Sequence, residues 1–130
     1  MVLKHLRKTK PRVLVVEDEI AMLRAVANSL SESGYEVLEA QDGEQGLTLA
    51  LEKHPDLILL DLVMPKMDGL TMLKQLREDN WGKRAKVMLL THMSESDRVA
   101  EALSYGAFQY LHKPEWNLND IVEQVRKALQ

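Results

Sequence analysis

The sequence predicts a doubly wound α/β domain, in which one parallel β-sheet lies between two layers of helices. Two segments, DLILLD at 56–61 and KVMLLT at 86–91, are apolar on both faces, as central strands are when helices cover both sides of a sheet. Five strand-like segments alternate with five helical patterns along the 130 residues. Because 45% of the residues are hydrophobic, the chain can form one sizeable core, so we expect a single compact domain.

The strands are predicted from short β-branched or apolar runs that lie between turn residues. They cover 12–17, 35–40, 56–61, 86–91 and 107–112. Right-handed crossovers leave few ways to wind such a chain, and we expect the flavodoxin-like strand order 2-1-3-4-5.

The helices are predicted from capping residues and apolar spacing. The first begins near Glu19, ends at 33–34, and places Ile20, Leu23, Val26, Ala27 and Leu30 on one face. Helix starts are predicted at Asp42 with Gln45, at Asp68–Gly69, at Ser94 with Asp97, and at Asn117. The expected ends are at 53–55, near 78 and at 105–106, and the last helix turns Leu118, Ile121, Val122, Val125 and Leu129 inward.

Polar side chains stand at the predicted carboxyl ends of the strands. They are Glu17, Asp18, Asp61, Thr91 and Lys113. In a sheet of this order the ligand site lies beyond these ends, where strands 1 and 3 separate, so we expect the five side chains to converge there. Three neighbouring carboxylates repel one another, and a divalent cation relieves the repulsion. The all-oxygen ligands, with no cysteine and no zinc-like histidine spacing, favour Mg2+.

Asp61 is the candidate nucleophile of this site. A carboxylate can attack phosphorus and form an aspartyl phosphate, while Lys113 and Thr91 can each interact with one oxygen of the transferred group. Taken singly, three of these residues each have a simpler structural explanation. Asp18 would merely cap the first helix, Thr91 would be a strand former, and Lys113 would be a surface lysine. Asp61 has no cap to make, because the next helix begins some eight residues later.

Four blocks of sequence together resemble the receiver domain of two-component response regulators, a chemotaxis-regulator-like phospho-acceptor module. The blocks are VLVVEDE, DLILLDLVMPKMDG, VMLLT and YGAFQYLHKP. The resemblance implies that Asp61 is phosphorylated and that Asp18, Asp61 and the Val63 carbonyl hold Mg2+. Glu17 would act through water or as a weaker acidic partner.

The resemblance also implies a switch. Thr91 and Tyr110 would move together, Lys113 would pair with the phosphoryl group, and residues 113–114 would form a cis peptide. The surface of helix 4, strand 5 and helix 5 would then change. The implied partners are a sensor histidine kinase or phosphotransfer protein and a downstream protein on that surface, with a possible phosphorylation-linked dimer. The chain would be a signalling switch rather than an enzyme, with no direct contact to nucleic acid or membrane.

Four residues bear on how this site would differ from the family pattern. His92 follows Thr91 where the family has a small residue, and Glu115 stands where phenylalanine is common. Val63 and Met93 are apolar at positions that flank the route of the hydrolytic water in the family. We therefore predict slow loss of the phosphoryl group.

Charge and chain length leave other readings open. Residues 1–11 form a basic arm that precedes the domain at 12–130, and a solvated arm is the preferred interpretation. With no secretory or membrane-spanning pattern, a cytoplasmic location is expected. A scaffold that binds partners without phosphorylation is the closest rival, because FMN binders, dehalogenase-like phosphatases and Walker-type enzymes each need a motif that is missing. A complete single-domain regulator and the receiver of a longer DNA-binding or enzymatic regulator both remain possible.

Overall fold

The computed structural model describes residues 10–64, 66–91, 96–112 and 117–130, with the backbone alone for residues 91, 96 and 109–112. The strands are β1 (Arg12–Val16), β2 (Glu36–Ala40), β3 (Leu57–Leu60), β4 (Val87–Thr91) and β5 (Phe108–His112). The helices are α1 (Ile20–Glu32), α2 (Gly43–Lys53), α3 (Gly69–Leu76), α4 (Ser96–Ser104) and α5 (Leu118–Ala128). A short 3-10 helix, Gly82–Arg84, precedes β4.

The strands form one parallel sheet in the order β2-β1-β3-β4-β5. This is the flavodoxin-like α/β architecture that the sequence predicts. β1 and β3 are neighbours, with Val16 opposite Leu60 at the last paired position. The residues that follow these two strands therefore leave the sheet side by side.

Two apolar layers, one on each face of the sheet, hold the helices in place. Alternate residues of β1 and β3 point to opposite faces, because side chains alternate along a strand. Val13, Val15, Leu57 and Leu59 pack against α1 and α5. Leu14, Val16, Ile58 and Leu60 pack against α2, α3 and α4. All four side chains of β3 are buried, which confirms the predicted central strand.

Three of the predicted helix caps are confirmed. The Asp42 carboxylate accepts a hydrogen bond from the Gln45 amide, Asp68 accepts one from the Thr71 amide, and the Asn117 side chain accepts one from the Asp120 amide. The predicted capping box differs by one residue. The Gln45 side chain accepts a hydrogen bond from the Gln41 amide rather than from the amide of the cap residue, Asp42. Ser94 lies outside the described residues.

The prediction for the inward face of α1 is wrong at one residue. Leu23, Val26, Ala27 and Leu30 are buried as predicted, but Ile20 is 44% exposed. α1 starts at the carboxyl edge of the sheet, so its first turn extends past the strands and Ile20 has no sheet face to pack against. In the described part of the chain, no helix combines the length and apolarity that a membrane crossing requires.

Candidate phosphoryl-acceptor site

Three carboxylates lie together where β1 and β3 end. Glu17 and Asp18 follow β1, and Asp61 follows β3. One carboxylate oxygen from each side chain lies within 4.8 Å of the others. The structure thus brings together three of the five strand-end residues that the sequence predicts, at the switch point of the sheet.

Glu17 and Asp61 are held by the backbone of the sheet itself. The Glu17 amide donates to the Ala40 carbonyl at 3.0 Å, which extends the β1–β2 pairing by one step. The Asp61 amide donates to the Val16 carbonyl at 3.1 Å in the same way. Both side chains are 1% exposed, while Asp18 is exposed. The site therefore has two buried acids and one acid that faces solvent.

Backbone amides of the two following loops orient the buried carboxylates. The Glu19 amide donates to Glu17 Oε2 at 3.1 Å, and the Val63 amide donates to Asp61 Oδ1 at 3.3 Å. Each contact joins residues two apart, and for Asp61 this is a local side-chain-to-backbone geometry that aspartate adopts readily. The carboxylates consequently have fixed directions at the sheet edge.

The loop after Asp61 is packed against two helix starts. The Gly69 amide donates to the Leu62 carbonyl at 3.0 Å, and the Gly43 amide of α2 donates to the Met67 carbonyl at 2.9 Å. Lys66, with a left-handed φ of 61°, places its ammonium 3.8 Å from the buried Asp42 carboxylate. Met64 and Met67 pack on the apolar core. The loop is thus held by α2 on one side and by α3 on the other.

Asp18 does not occupy the cap position of α1. The N-cap residue of that helix is Glu19, whose side chain makes no capping hydrogen bond. The structural alternative for Asp18, that it serves only as a cap, is therefore disfavoured. Its exposed carboxylate lies beside two buried ones and is accessible from solvent.

The carboxylate cluster fits the coordination chemistry of Mg2+. At a metal–oxygen distance of about 2.1 Å, octahedral ligands lie roughly 3 Å apart when adjacent and about 4 Å apart when opposite. The three oxygens lie within 4.8 Å of one another, so they would move closer together to share one ion. All three donors are carboxylate oxygens, the ligand type that hard divalent cations prefer.

The remaining predicted residues are described in part or not at all. Thr91 is the last residue of β4, and its backbone lies opposite His112. Tyr110, in β5, lies opposite Leu89 of β4. Neither the Thr91 nor the Tyr110 side chain is among those described. Lys113, the 113–114 peptide, His92, Met93 and Glu115 lie outside the described residues. Val63 is described, and its side chain is 42% exposed at the edge of the site.

Sequence reasoning missed how the loop after Asp61 is held. It assigned Asp68 to a turn and helix start, but the second oxygen of this carboxylate also lies 3.4 Å from an Arg98 guanidinium nitrogen of α4. It made no prediction for Lys66. A charged pair 30 positions apart leaves no local pattern, so only the topology could have suggested it. Glycine directly after Asp68 was a usable signal, because an obligatory close approach is one reason for glycine at such a position.

Comparison with known proteins defines the class to which this fold and site belong. Residues 13–126 match the family described as the response regulator receiver domain, so the chain belongs to that family. It is the receiver domain of a two-component response regulator, a signalling module.

Relatives and solved structures agree with this family. The chain is 36% identical over 120 residues to the DNA-binding dual master transcriptional regulator RpaA of Synechocystis, covering 92% of this chain and 49% of that protein. It is 40% identical over 120 residues to the response regulator MprA of Mycolicibacterium vanbaalenii, covering 92% and 50%. The chain spans about half the length of these curated relatives. The chemotaxis protein CheY4 of Vibrio cholerae superposes with a TM-score of 0.86 at 30% identity, over 93% of this chain and 100% of that one.

Proposed function

We propose that Asp61 is the phosphoryl acceptor of this receiver domain. The observation that carries the proposal is the position of Asp61: its carboxylate is 1% exposed, directly follows the central strand β3, and lies within 4.8 Å of the Glu17 and Asp18 oxygens. Because Asp61 lies at the carboxyl edge of the sheet, a phosphoryl donor can approach it from outside the sheet.

The reaction is a phosphoryl transfer from a phosphohistidine. A carboxylate oxygen of Asp61 forms a bond to phosphorus, the phosphorus–nitrogen bond breaks, and the imidazole leaves with its electron pair and takes up a proton. The product is an aspartyl phosphate, and the chain catalyses only this step and the later hydrolysis. The donor is a sensor histidine kinase or a phosphotransfer protein.

The acidic cluster is the proposed Mg2+ site. Asp18, Asp61 and the Val63 carbonyl would hold the ion, and Glu17 would contribute through water or as a weaker acidic partner. Bound Mg2+ supplies positive charge that offsets the charge on the phosphoryl oxygens. The residues of the chain fix the direction of attack, since Asp61 is locked at the strand end by its own amide.

Phosphorylation would act as the input of a switch. Lys113 pairs with a phosphoryl oxygen, Thr91 donates to another, and Tyr110 moves with Thr91. The outcome is a changed surface on α4, β5 and α5, where a downstream protein or a second copy of the phosphorylated chain binds. Physically this is a two-state equilibrium, biased because the phosphoryl group interacts more strongly with one arrangement than with the other. We place this switch in the cytoplasm, in the domain at 12–130, with residues 1–11 as a solvated arm.

The test is intact-mass analysis after incubation with a small phosphodonor and Mg2+. The unmodified sequence should gain the mass of one phosphoryl group, and Asp61→Asn should gain none. Asp56→Asn is the matched control, because Asp56 is an exposed aspartate just before β3 that accepts from the Arg12 amide at the opposite edge of the sheet. An adduct that survives Asp61→Asn, or no adduct in the unmodified chain, would contradict the proposal and favour a phosphorylation-independent scaffold.

A further inference from the structure

Helix α4 is attached to the body by few apolar contacts. Among its described side chains, at 97–104, Ala102 is the buried one, and Val99 packs on the core while partly exposed. In α3, by contrast, Leu70, Met72 and Leu73 are all buried. Elements with little buried apolar surface open at low free-energy cost. The polar contacts of α4 therefore weigh more in holding its position than polar contacts elsewhere do.

Among the residues that the structure describes, three polar contacts join α4 or the residue after it to α3 or the residues that flank it. Beyond the carboxyl end of α4, the Tyr105 carbonyl accepts a 2.6 Å hydrogen bond from Arg77 Nε. In its second half, Lys74 Nζ lies 2.7 Å from Glu101. Near its start, an Arg98 nitrogen lies 3.4 Å from Asp68 Oδ2. Of these three contacts, only the one made by Arg98 involves the segment between Asp61 and α3.

Asp68 joins the start of α3 to α4 through its two oxygens. Oδ1 accepts from the Thr71 amide at 2.9 Å, while Oδ2 faces Arg98. Burial opposes ionisation of Asp68, but hydrogen bonds from Thr71 and Arg98, with the charge of Arg98, hold the pKa of this carboxyl below its ordinary value. Asp68 thus carries a full negative charge at neutral pH.

The loop after Asp61 can transmit a displacement because its backbone is in close contact with α3 at Asp61 and with α2 at Met67. A Cβ built on Gly69 would lie 2.1 Å from the Asp61 carbonyl oxygen, and one built on Gly43 would lie 2.2 Å from the Met67 carbonyl oxygen. Backbone groups in such close contact move together rather than independently. A shift at Asp61 therefore reaches Asp68, and with it the contact to Arg98.

We propose that Asp68 and Arg98 form a latch that holds α4 to the phosphoryl-acceptor loop in the unphosphorylated state. The proposal rests on the proposed function, because the latch matters only if Asp61 receives a phosphoryl group and α4 responds. While the latch is closed, α4 keeps the arrangement seen here. A phosphoryl group on Asp61 displaces the loop, opens the pair and releases the start of α4, whereas Arg77 keeps the other end in place.

The size of the effect of the latch can be estimated from the exposure of the pair. Both side chains are partly exposed, so the pair contributes only modestly, and its loss should shift the α4 equilibrium by about two- to five-fold. By linkage, a change that releases α4 also strengthens binding at Asp61, by at most the same factor. Beryllofluoride, a tetrahedral stand-in for a phosphoryl group, provides the equilibrium probe.

The experiment compares Arg98→Gln, Asp68→Asn and the double variant with the unmodified chain. Asparagine retains the capping ability of Asp68, so Asp68→Asn removes the charge while keeping α3. Each single variant should speed amide hydrogen exchange across 97–104 without ligand and raise the affinity for beryllofluoride with Mg2+ about two- to five-fold. The double variant should show no further gain, because both changes remove one interaction. Arg98→Lys keeps the positive charge, so it should behave nearly like the unmodified chain in both measurements.

The control variant is Arg24→Gln. It breaks an exposed pair with Glu39 at 3.5 Å, nearly the same distance, but between α1 and β2. It should alter neither measurement. Unchanged exchange at 97–104 in Arg98→Gln would overturn the latch. Failure of the unmodified chain to bind beryllofluoride would instead overturn the proposed function, and the exchange comparison would still decide whether the pair holds α4.

Discussion

Gly69 approaches the Asp61 backbone so closely that no side chain fits between them. A Cβ on Gly69 would lie 2.1 Å from the Asp61 carbonyl oxygen and 2.8 Å from the Leu62 Cα. Both obstacles are backbone atoms, so relief requires movement of the loop or of α3. The first residue of α3 therefore constrains the position of the loop that begins at Asp61.

Gly69→Ala should lower stability and misplace Asp61. We expect a loss of about 1–3 kcal/mol in the free energy of unfolding, the usual cost of forcing extra volume into a packed region. Urea unfolding measures the loss, and intact-mass analysis should show a reduced yield of the phosphoryl adduct in protein that is still folded.

Gly34→Ala separates the two effects. A Cβ there meets nothing within 4 Å, but the φ of +100° is strained for alanine. This variant should lose stability while keeping the yield of the adduct. Equal adduct loss in both variants would show that reduced stability, rather than a displaced Asp61, explains Gly69→Ala.

The sequence predicted the fold and the acidic cluster well because both follow from local patterns. Apolar runs define β1 and β3, and the parallel topology then places Glu17, Asp18 and Asp61 together without further information. Periodicity placed Ile20 incorrectly, because it records a helix face but not where the opposing sheet ends.

The contacts that hold α3 and α4 could not be predicted in the same way. Arg77 was given no role, yet it donates to three backbone carbonyls, those of Gly82, Ala85 and Tyr105. Every residue offers the same backbone carbonyl, so the acceptors leave no mark in the sequence. The Asp68–Arg98 pair likewise depends on how two helices meet.

Removal of Asp18 should weaken Mg2+ binding while relieving repulsion in the metal-free protein. Asp18→Asn removes one charged ligand, and we expect at least about a tenfold loss of Mg2+ affinity, since changes even to outer partners of metal ligands cost this much. Without Mg2+, the variant should melt at a higher temperature than the unmodified chain, because one of three clustered negative charges is gone.

Calorimetric titration and thermal melts at several Mg2+ concentrations measure these two effects. Mg2+ should raise the melting temperature of the unmodified chain more than that of the variant. Asp120→Asn, in the first turn of α5, serves as the control for loss of an acidic charge. Unchanged Mg2+ affinity in Asp18→Asn would exclude this carboxylate as a ligand.

The charge on Asp68 should stabilise the fold in a pH-dependent way. Its pKa is lowered in the folded state, so the carboxylate contributes stability above its unfolded pKa, near 3.8, and loses that contribution as the pH falls through the folded value. Compared with Asp68→Asn, the unmodified chain should be more stable by at most about 1 kcal/mol above roughly pH 5. Denaturant titrations from pH 7 to pH 3 should show the difference shrinking in acid. A difference that stays constant over this range would contradict the ionic contribution.

Arg77 should be the strongest single polar anchor of the region between α3 and β5. Its three hydrogen bonds, of 2.6–2.8 Å, run to carbonyls, and burial lowers the pKa of its guanidinium without removing the charge. Arg77→Met should lower stability by about 2–3 kcal/mol, because charged donors are lost and part-buried carbonyls are left without them. Arg126→Met, which removes an exposed pair with Glu123, should have little effect in the same urea titrations. Similar losses in both variants would show that the Arg77 contacts carry no special weight.

The lifetime of the phosphoryl group should depend on Val63. This side chain is 42% exposed at the edge of the site, and its amide holds Asp61 Oδ1. An apolar group there cannot orient a water molecule for attack on phosphorus, so the phosphorylated chain should persist well beyond seconds in Mg2+. Val63→Asn keeps the backbone contact and adds an amide that can position water, which should shorten the lifetime a few-fold. Val63→Leu, apolar like the original, should leave it unchanged. Time-resolved intact-mass measurements after removal of the phosphodonor give the three rates, and loss within seconds in the unmodified chain would refute the role of Val63.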